Sequence, residues 1–455
     1  MDKTEADLLI TGSWAWVKPG QMLRNTAVAV SGEEIVDIGD IEILSSKYPL
    51  ARQIGGENRV ILPGYISTHT HLFQTFLKGL GQGLPLRTWI QKVTTPAALE
   101  MNERDAYLSA AVGLMEAIHS GTTSVMEFSY AFPNLSIFDA ILQAYTDLGL
   151  RGWLGVSVND TGEDSGLNPS FIQPLDDCIL RLDEIRSKLG HDSNARIKLG
   201  ITPTSIRGLS KQALNIFSAY ASEHQAILSI HLNETSYDDK IAVARFGKRA
   251  IPALAELGAL TPDFLAVHCV QMTQEDIRLL AEYGVHVSHN PVSNMYLGAG
   301  ISPVTELRNA GVTVSLGVDG AASNNSQDML ENIKMTVLGQ RAAARDVGAF
   351  SALDALEMAT VEGAKALGMQ GQIGELTPGF AADITVVNFN TSKSLPVHNP
   401  AATLAFSCGE ENIDTMIVAG NVIMEGGVIT TVDESALLSE AQDAARKLAY
   451  RADIQ

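Results

Sequence analysis

The chain of 455 residues is 45% hydrophobic and 18% charged, and its formal net charge is −20. This is the composition of a globular protein long enough to bury a large core without covalent staples. So acidic a surface repels phosphate backbones and anionic lipid, so neither nucleic acid nor membrane is expected as a partner, and a small molecule is expected instead.

The three cysteines, Cys178, Cys269 and Cys408, are too scattered for a disulfide framework or a cysteine-ligated metal, which points to a reducing, cytoplasmic setting. The start, Met1-Asp2-Lys3-Thr4-Glu5-Ala6-Asp7, lacks the basic-then-apolar pattern of an export signal. No apolar run approaches the ~18 residues that span a bilayer.

In chain order, residues 1–58 read as short strands and turns, with β-branched or apolar runs at 8–10, 26–30 and 34–38. Residues 372–432 return to that texture, with runs at 383–387 and 415–423. These two segments predict one small β-sandwich domain built from both chain ends, followed by a helix over 433–455. Between them, residues 59–371 alternate strand-like and helical stretches. Eight strands are predicted at 65–71, 122–129, 151–158, 196–204, 226–234, 264–270, 285–290 and 312–319. Residues 104–118 and 274–282 carry apolar side chains at i, i+3, i+4 and i+7, the helical spacing. The pattern predicts an α/β fold, a (β/α)8 TIM barrel. An open doubly wound sheet is the alternative, but no Gly-x-Gly-x-x-Gly turn supports it.

Five of the predicted strands end in a residue able to bind metal or move a proton: His69 and His71, then His231 with Glu234, His268, His289 and Asp319. Barrel active sites form at the C-terminal ends of strands, so these residues should converge. Residues i and i+2 of a strand share a face, so His69 and His71 point together into the barrel. With His231 and Asp319 they offer three nitrogens and one carboxylate oxygen. That set suits one divalent metal, Zn²⁺ first and Fe²⁺ or Mn²⁺ next, with a position left for water. Bound zinc lowers the pKa of water to about 7, which provides a hydroxide for attack on a substrate carbon. Glu234 is placed to accept the water proton and pass it to a leaving group. His268 is placed beside the hydroxide or the developing oxyanion, and Asp319 serves both as ligand and in catalysis. Each residue has a plainer reading alone: His268 as a satisfied core histidine, Asp319 before Gly320 as a turn cap, Glu234 as a helix-start carboxylate. Their conjunction at one rim favours the metal site. His119 precedes Ser120-Gly121 as a helix C-terminal cation, and His191, His224, His286 and His398 are read as non-ligands. Substrate contacts are expected from Gln74, Arg87, Trp89, His289 and Asn294, with Phe73 as a further wall residue.

The segments Leu62-Pro63-Gly64-Tyr65-Ile66-Ser67-Thr68-His69-Thr70-His71, His231-Leu232-Asn233-Glu234, Val267-His268-Cys269, Ser288-His289-Asn290-Pro291-Val292-Ser293-Asn294 and Leu316-Gly317-Val318-Asp319-Gly320 resemble the amidohydrolase superfamily. The match is to its mononuclear-metal deaminase and chlorohydrolase branch. The resemblance covers nearly the whole chain and implies the barrel, the two-ended β domain, ligands His69, His71, His231 and Asp319, catalytic partners Glu234 and His268, and a homo-oligomer. Lys198 lies mid-strand rather than at the rim, which implies one metal rather than a bridged pair. Leu84-Pro85-Leu86-Arg87-Thr88-Trp89 is similar to methylthioadenosine/S-adenosylhomocysteine deaminases. Those nucleoside deaminases usually carry a ribose-binding Glu where this chain reads Thr95-Pro96-Ala97-Ala98, and a His where it reads Gly200-Ile201-Thr202-Pro203-Thr204. Ribose hydroxyls left without those partners cost ~1–3 kcal/mol each. The expectation is therefore hydrolytic deamination of a free amino-substituted aromatic heterocycle: pterin, purine, pyrimidine or triazine. The alternatives are s-triazine dechlorination, nucleoside deamination and, in another class, a non-catalytic metal- or ligand-binding barrel.

Overall fold

The computed structural model describes residues 5–129, 135–190 and 195–454; the reading of His191 and the first four residues of the N-terminal segment lie outside them. The strands are β1 (Leu8–Lys18), β2 (Gln21–Ser31), β3 (Glu34–Asp40), β4 (Arg52–Pro63), β5 (Tyr65–Thr70), β6 (Thr122–Glu127), β7 (Arg151–Val156), β8 (Ile197–Ile201), β9 (Ile227–Leu232), β10 (Phe264–His268), β11 (His286–His289), β12 (Val314–Leu316), β13 (Ile384–Asn388), β14 (Ile413–Val418), β15 (Asn421–Glu425) and β16 (Val428–Ile429).

Strands β5 to β12 form one parallel sheet in unbroken sequence order. Its two ends meet. Asp319 N–H donates to His69 O at 3.0 Å, and the Thr68 hydroxyl donates to Leu316 O at 2.9 Å. The result is the eight-stranded barrel of the TIM type. Strands β5, β6 and β7 are buried along their whole length, as strands covered on both faces must be. The covering helices begin where the chain supplies side-chain acceptors. Asn102 and Asp105 form a reciprocal capping box on Glu103–His119, and Thr273 and Asp276 do the same for Gln274–Glu282. All eight predicted strands are present, each ending one to three residues short of its predicted C-terminus. The residues past each strand end turn into the rim loops, which is where His71, Glu234 and Asp319 stand.

The second sheet has the order β16-β15-β14-β13-β4-β1-β2-β3. It interleaves the two chain ends through the antiparallel pairing of β4 with β13. Alternate residues feed opposite faces: Ile10, Val28, Ile61 and Ile384 join one apolar cluster, while Leu9, Ala27 and Ala29 join another, together with Leu44 and Tyr48 from the helix Ile41–Lys47 and its C-terminal cap. Arg151 at the start of β7 makes two hydrogen bonds to Asp383, at 2.7 and 3.1 Å, in a buried fork that ties barrel to sheet. The helix Glu434–Arg451 lies against Glu103–His119, where His119 meets Glu434 at 3.0 Å and Arg451 bonds Asp105.

Two features differ from expectation. β4 went unpredicted because Gly55-Gly56 breaks its sequence. Gly55 has φ +93°, and a Cβ there would stand 2.1 Å from Thr11 O. The run 415–423, read as one strand, is the hairpin β14–β15, whose turn carries Ala419 at φ +46° and Gly420 at φ +73°. Positive φ at both central residues is the turn that matches strand twist.

No helix among the described residues is long and apolar enough to cross a membrane.

Candidate metal centre and active site

The barrel delivers its chemistry at one rim. β5 carries His69 and is followed at once by His71; β9 carries His231; β10 ends in His268; Asp319 follows β12. The backbone is left-handed at Asn233 (φ +50°), His268 (φ +77°) and Asp319 (φ +65°). Such a conformation costs a non-glycine residue about 1–2 kcal/mol and persists where the surroundings over-determine it. Asp319 is held on every side. Its carbonyl accepts from Thr70 Oγ1 and Gln327 Nε2, both at 2.9 Å. Its carboxylate accepts from Ser293 Oγ at 2.6 Å and from Gly320 N–H at 2.7 Å.

The four residues proposed from sequence as metal ligands come together. His69 Nε2 and His71 Nε2 stand 3.3 and 3.6 Å from Asp319 Oδ1. His71 Nδ1 lies 2.8 Å from Phe128 O, and His231 Nδ1 lies 2.7 Å from Thr204 O. A carbonyl only accepts, so both Nδ1 atoms carry the proton and both Nε2 atoms present lone pairs. Those two Nε2 atoms face each other at 3.1 Å. Facing lone pairs repel unless a cation lies between or beside them. Burial first, then His69, pushes the His71 imidazole down to about 3, and burial also lowers His69 and His231. They are thus neutral donors at pH 7. Burial alone would raise Asp319, but the His69 contact and the facing imidazoles hold it well below the carboxylate range. Three neutral nitrogens and one anionic oxygen fit a divalent cation. Ligand atoms of His69, His231 and His268 also lie within 4.8 Å of one another, so His268 borders the same point.

Glu234 is buried, and burial lifts its carboxyl to about 7 against the pull of His268. Its Oε2 is 3.9 Å from His268 Nε2, and its backbone N–H donates to Asp238 at 3.1 Å. His268 Nδ1 bonds Asn294 Oδ1 at 2.9 Å, which turns Nε2 toward Glu234.

A cavity of about 290 Å³ opens over these groups, with His71, His231, His268, Glu234 and Asp319 in its lining. Of the recognition residues expected from sequence, Gln74, Arg87 and Trp89 line it. Gln74 is almost fully buried, and its Oε1 has no partner. His289, Asn294 and Phe73 are not in the lining. His289 is buried with Nδ1 unpartnered, and Asn294 serves His268 instead. Sequence reading missed Phe128, Thr204, Ser205, Arg207, Tyr237 and Asp238, which also line the cavity. The signal for Asn294 was the motif at 288–294, within which the Asn290 side chain also approaches His268 Nδ1, at 3.2 Å. The loop residues carry no comparable spacing.

Comparison with known proteins matches residues 60–423 to the family described as Amidohydrolase family. A 5-methylthioadenosine/S-adenosylhomocysteine deaminase of Syntrophobacter fumaroxidans is 32% identical over 98% of this chain and 100% of its own. A 5'-deoxyadenosine deaminase of Methanosarcina mazei is 32% identical over 98% of this chain and 99% of its own. Among solved structures, an adenosine deaminase from Xanthomonas campestris with bound zinc superposes with a TM-score of 0.91, at 26% identity, over 98% of this chain and 99% of that one. An atrazine chlorohydrolase from Arthrobacter aurescens complexed with zinc shares the fold, with a TM-score of 0.90 at 24% identity over 96% of this chain and 100% of that one.

Proposed function

The chain belongs to the amidohydrolase family, and from that membership we propose that it hydrolytically deaminates an amino-substituted aromatic nitrogen heterocycle, using one divalent cation, zinc foremost, held by His69, His71, His231 and Asp319. The observation that carries the reading is the pair of Nε2 lone pairs of His71 and His231, 3.1 Å apart beside the Asp319 carboxylate. When bound, the cation acts as a Lewis acid that makes water nucleophilic at neutral pH.

The remaining chemistry belongs to the side chains. A carboxyl lifted to about 7 is near-balanced between accepting and donating a proton at neutral pH, the optimum for a group that must do both. Glu234 takes one proton as water oxygen bonds to the ring carbon and hands it to the adjacent ring nitrogen. It takes the second proton of that oxygen and gives it to the exocyclic nitrogen, the C–N bond breaks, and ammonia leaves. His268, oriented by Asn294, holds the oxygen as negative charge grows on it. Gln74, with a buried amide oxygen lacking a partner, is suited to an N–H on the heterocycle edge, and Trp89 and Phe128 offer apolar faces to the ring.

A second reading is favoured by the activities for which the relatives are named: deamination of a 5'-modified adenosine. Against it, the segments 95–98 and 202–204 bring to the cavity lining only Thr204, with no carboxylate or imidazole for ribose. Ammonia release across aminopurines, pterins, cytosines, aminotriazines and 5'-modified adenosines separates these readings. Turnover of a base faster than its nucleoside supports the first, and the reverse order supports the second. Chloride release from a chlorotriazine with no ammonia from any amine would instead make the chain a dechlorinase. Metal-loaded protein inert throughout would leave a binding barrel. Elemental analysis identifies the metal, and sedimentation reads the homo-oligomer that belongs to the same proposal. The unpaired cysteines suit the reducing, cytoplasmic setting that is also part of it.

A further inference from the structure

Two guanidinium groups line the cavity, Arg87 and Arg207. Arg87 is exposed and Arg207 half-buried, whereas His71, Glu234, His268 and Asp319 in the same lining are buried. The arginines therefore mark the solvent end of a cavity whose other end holds the chemistry. Arg87 packs its guanidinium on the Tyr237 ring, 4.6 Å from the centroid. Tyr237 OH donates to Ser165 O at 3.3 Å, and Ser165 Oγ donates to Arg207 O at 3.4 Å. This chain of contacts ties the Arg87 guanidinium, through Tyr237 and Ser165, to the Arg207 backbone.

Among the described residues, neither guanidinium makes a hydrogen bond or an ion pair with a carboxylate. Arg207 has two acidic neighbours in the lining, Glu234 and Asp238. Asp238 already accepts from Glu234 N–H, and neither carboxylate reaches Arg207 within ion-pair distance. Among the described residues both guanidinium groups therefore keep donors for a ligand at the cavity mouth, while the Arg207 charge also pulls the nearby Glu234 and Asp238 carboxyls down against the burial that raises them. Arg52, Arg104, Arg249, Arg278 and Arg451 all hold carboxylates. A guanidinium offers five donors in a planar fork matched to a carboxylate or phosphate.

Resting on the deaminase reading above, we infer that the substrate carries an anionic substituent on the side of the heterocycle away from the reacting carbon, bound between Arg87 and Arg207. The size of the cavity favours a carboxylate on the ring system itself. At about 290 Å³ it lies at the small end of the ~300–1,000 Å³ usual for ligand pockets, close for a nucleoside bearing a phosphate. The polar ends then divide the work: Gln74 meets the ring edge, and the arginines meet the anion.

The test uses matched pairs on the metal-loaded full chain: pterin against pterin-6-carboxylate, and adenosine against its 5'-monophosphate. The expected result is a kcat/KM at least tenfold higher for pterin-6-carboxylate than for pterin, with that ratio falling at least tenfold in Arg207→Gln and in Arg87→Gln, and partly restored in Arg207→Lys. The ratio cancels any general loss of folded enzyme. A preference confined to the monophosphate pair would move the anion to phosphate and overturn the carboxylate assignment. Equal kcat/KM for the members of both pairs, or an unchanged ratio in the arginine variants, would overturn the inference. A binding arm keeps it separate from the deaminase reading. Equilibrium titration with the oxo counterparts of the same pairs, which have no amino group to lose, should show at least tenfold tighter binding of the carboxylated member. It should also show a steep loss of that advantage with added salt. Binding preference without ammonia release would sink the reaction and leave the anion site standing; ammonia release without preference would do the opposite.

Discussion

In the proposed reaction Glu234 carries the proton traffic. Glu234→Gln keeps the shape and removes the proton traffic, so kcat should fall by roughly 10²–10⁴-fold while elemental analysis shows an unchanged metal content. Equal metal loss would move Glu234 into the ligand set. A different buried acid, Glu127, contributes to the pH dependence of the fold. It sits at the end of β6, accepts from Leu72 N–H at 2.8 Å, and its Oε1 has no partner. Burial lifts it from 4.5 to about 8, against the Leu72 bond. Between those values the folded chain binds more protons than the unfolded one, so stability is full below about 4.5 and declines as pH rises to about 8, by on the order of a few kcal/mol. From pH 5 to 8 the urea midpoint of Glu127→Gln, which retains an acceptor for Leu72, should rise relative to that of the native chain; a constant difference would overturn the assignment. At this scale the convergence of the proposed ligands was legible because period-2 spacing in a strand fixes a shared face, as with His69 and His71. Asn294 was legible as a site residue but not by partner, because a motif gives position and not the side chain it meets. Arg207 was illegible: it lies in a short 3-10 turn past β8, where no periodicity operates.

The helices and strands show where local pattern prevails and where tertiary contact does. The helices Glu103–His119 and Gln274–Glu282 fall within a residue of their predicted spans because caps and amphipathic spacing are local. β4 and the β14–β15 hairpin were missed because glycines inside or beside apolar runs were read as breaks, or not read at all, where the sheet uses them for close approach and reversal. The Arg151–Asp383 fork joins two elements from opposite halves of the chain, and Asp383 also accepts from Ala419 N–H at 2.8 Å. Arg151→Ala strands a buried carboxylate and should cost about 3–5 kcal/mol in denaturant unfolding. Arg151→Met combined with Asp383→Leu should recover much of that loss, since no charge is then left without its counter-ion. A smaller cost for the single change than for the double would show that the pair contributes little to docking the sheet on the barrel.

Over the whole molecule, the barrel was legible from the count and order of its strands, and the two-ended β domain from the return of one texture at both termini. The cavity was not, because its walls come from rim loops whose course depends on packing rather than period. The metal proposal makes a global prediction. A ligand present at 1,000 times its Kd stabilises by about 4 kcal/mol, so chelation should lower Tm by several degrees, and readdition of zinc should restore it. The Asp319→Asn variant should show a smaller response. An unchanged Tm after chelation has been shown to strip the metal would remove the cation from the site.

The closure of β12 against β5 has a consequence in time. The first imidazole leaves the ribosome with His69 and the aspartate arrives only with Asp319; at ~5–20 residues per second the wait is roughly 10–50 s. β4 waits longer still for its neighbour β13, which begins at Ile384. A nascent polypeptide therefore displays clustered histidines before it owns the carboxylate that completes their charge balance, and any ion captured early is held by an immature, neutral ring. Products that stop before residue 319 emerge without the carboxylate of the proposed centre.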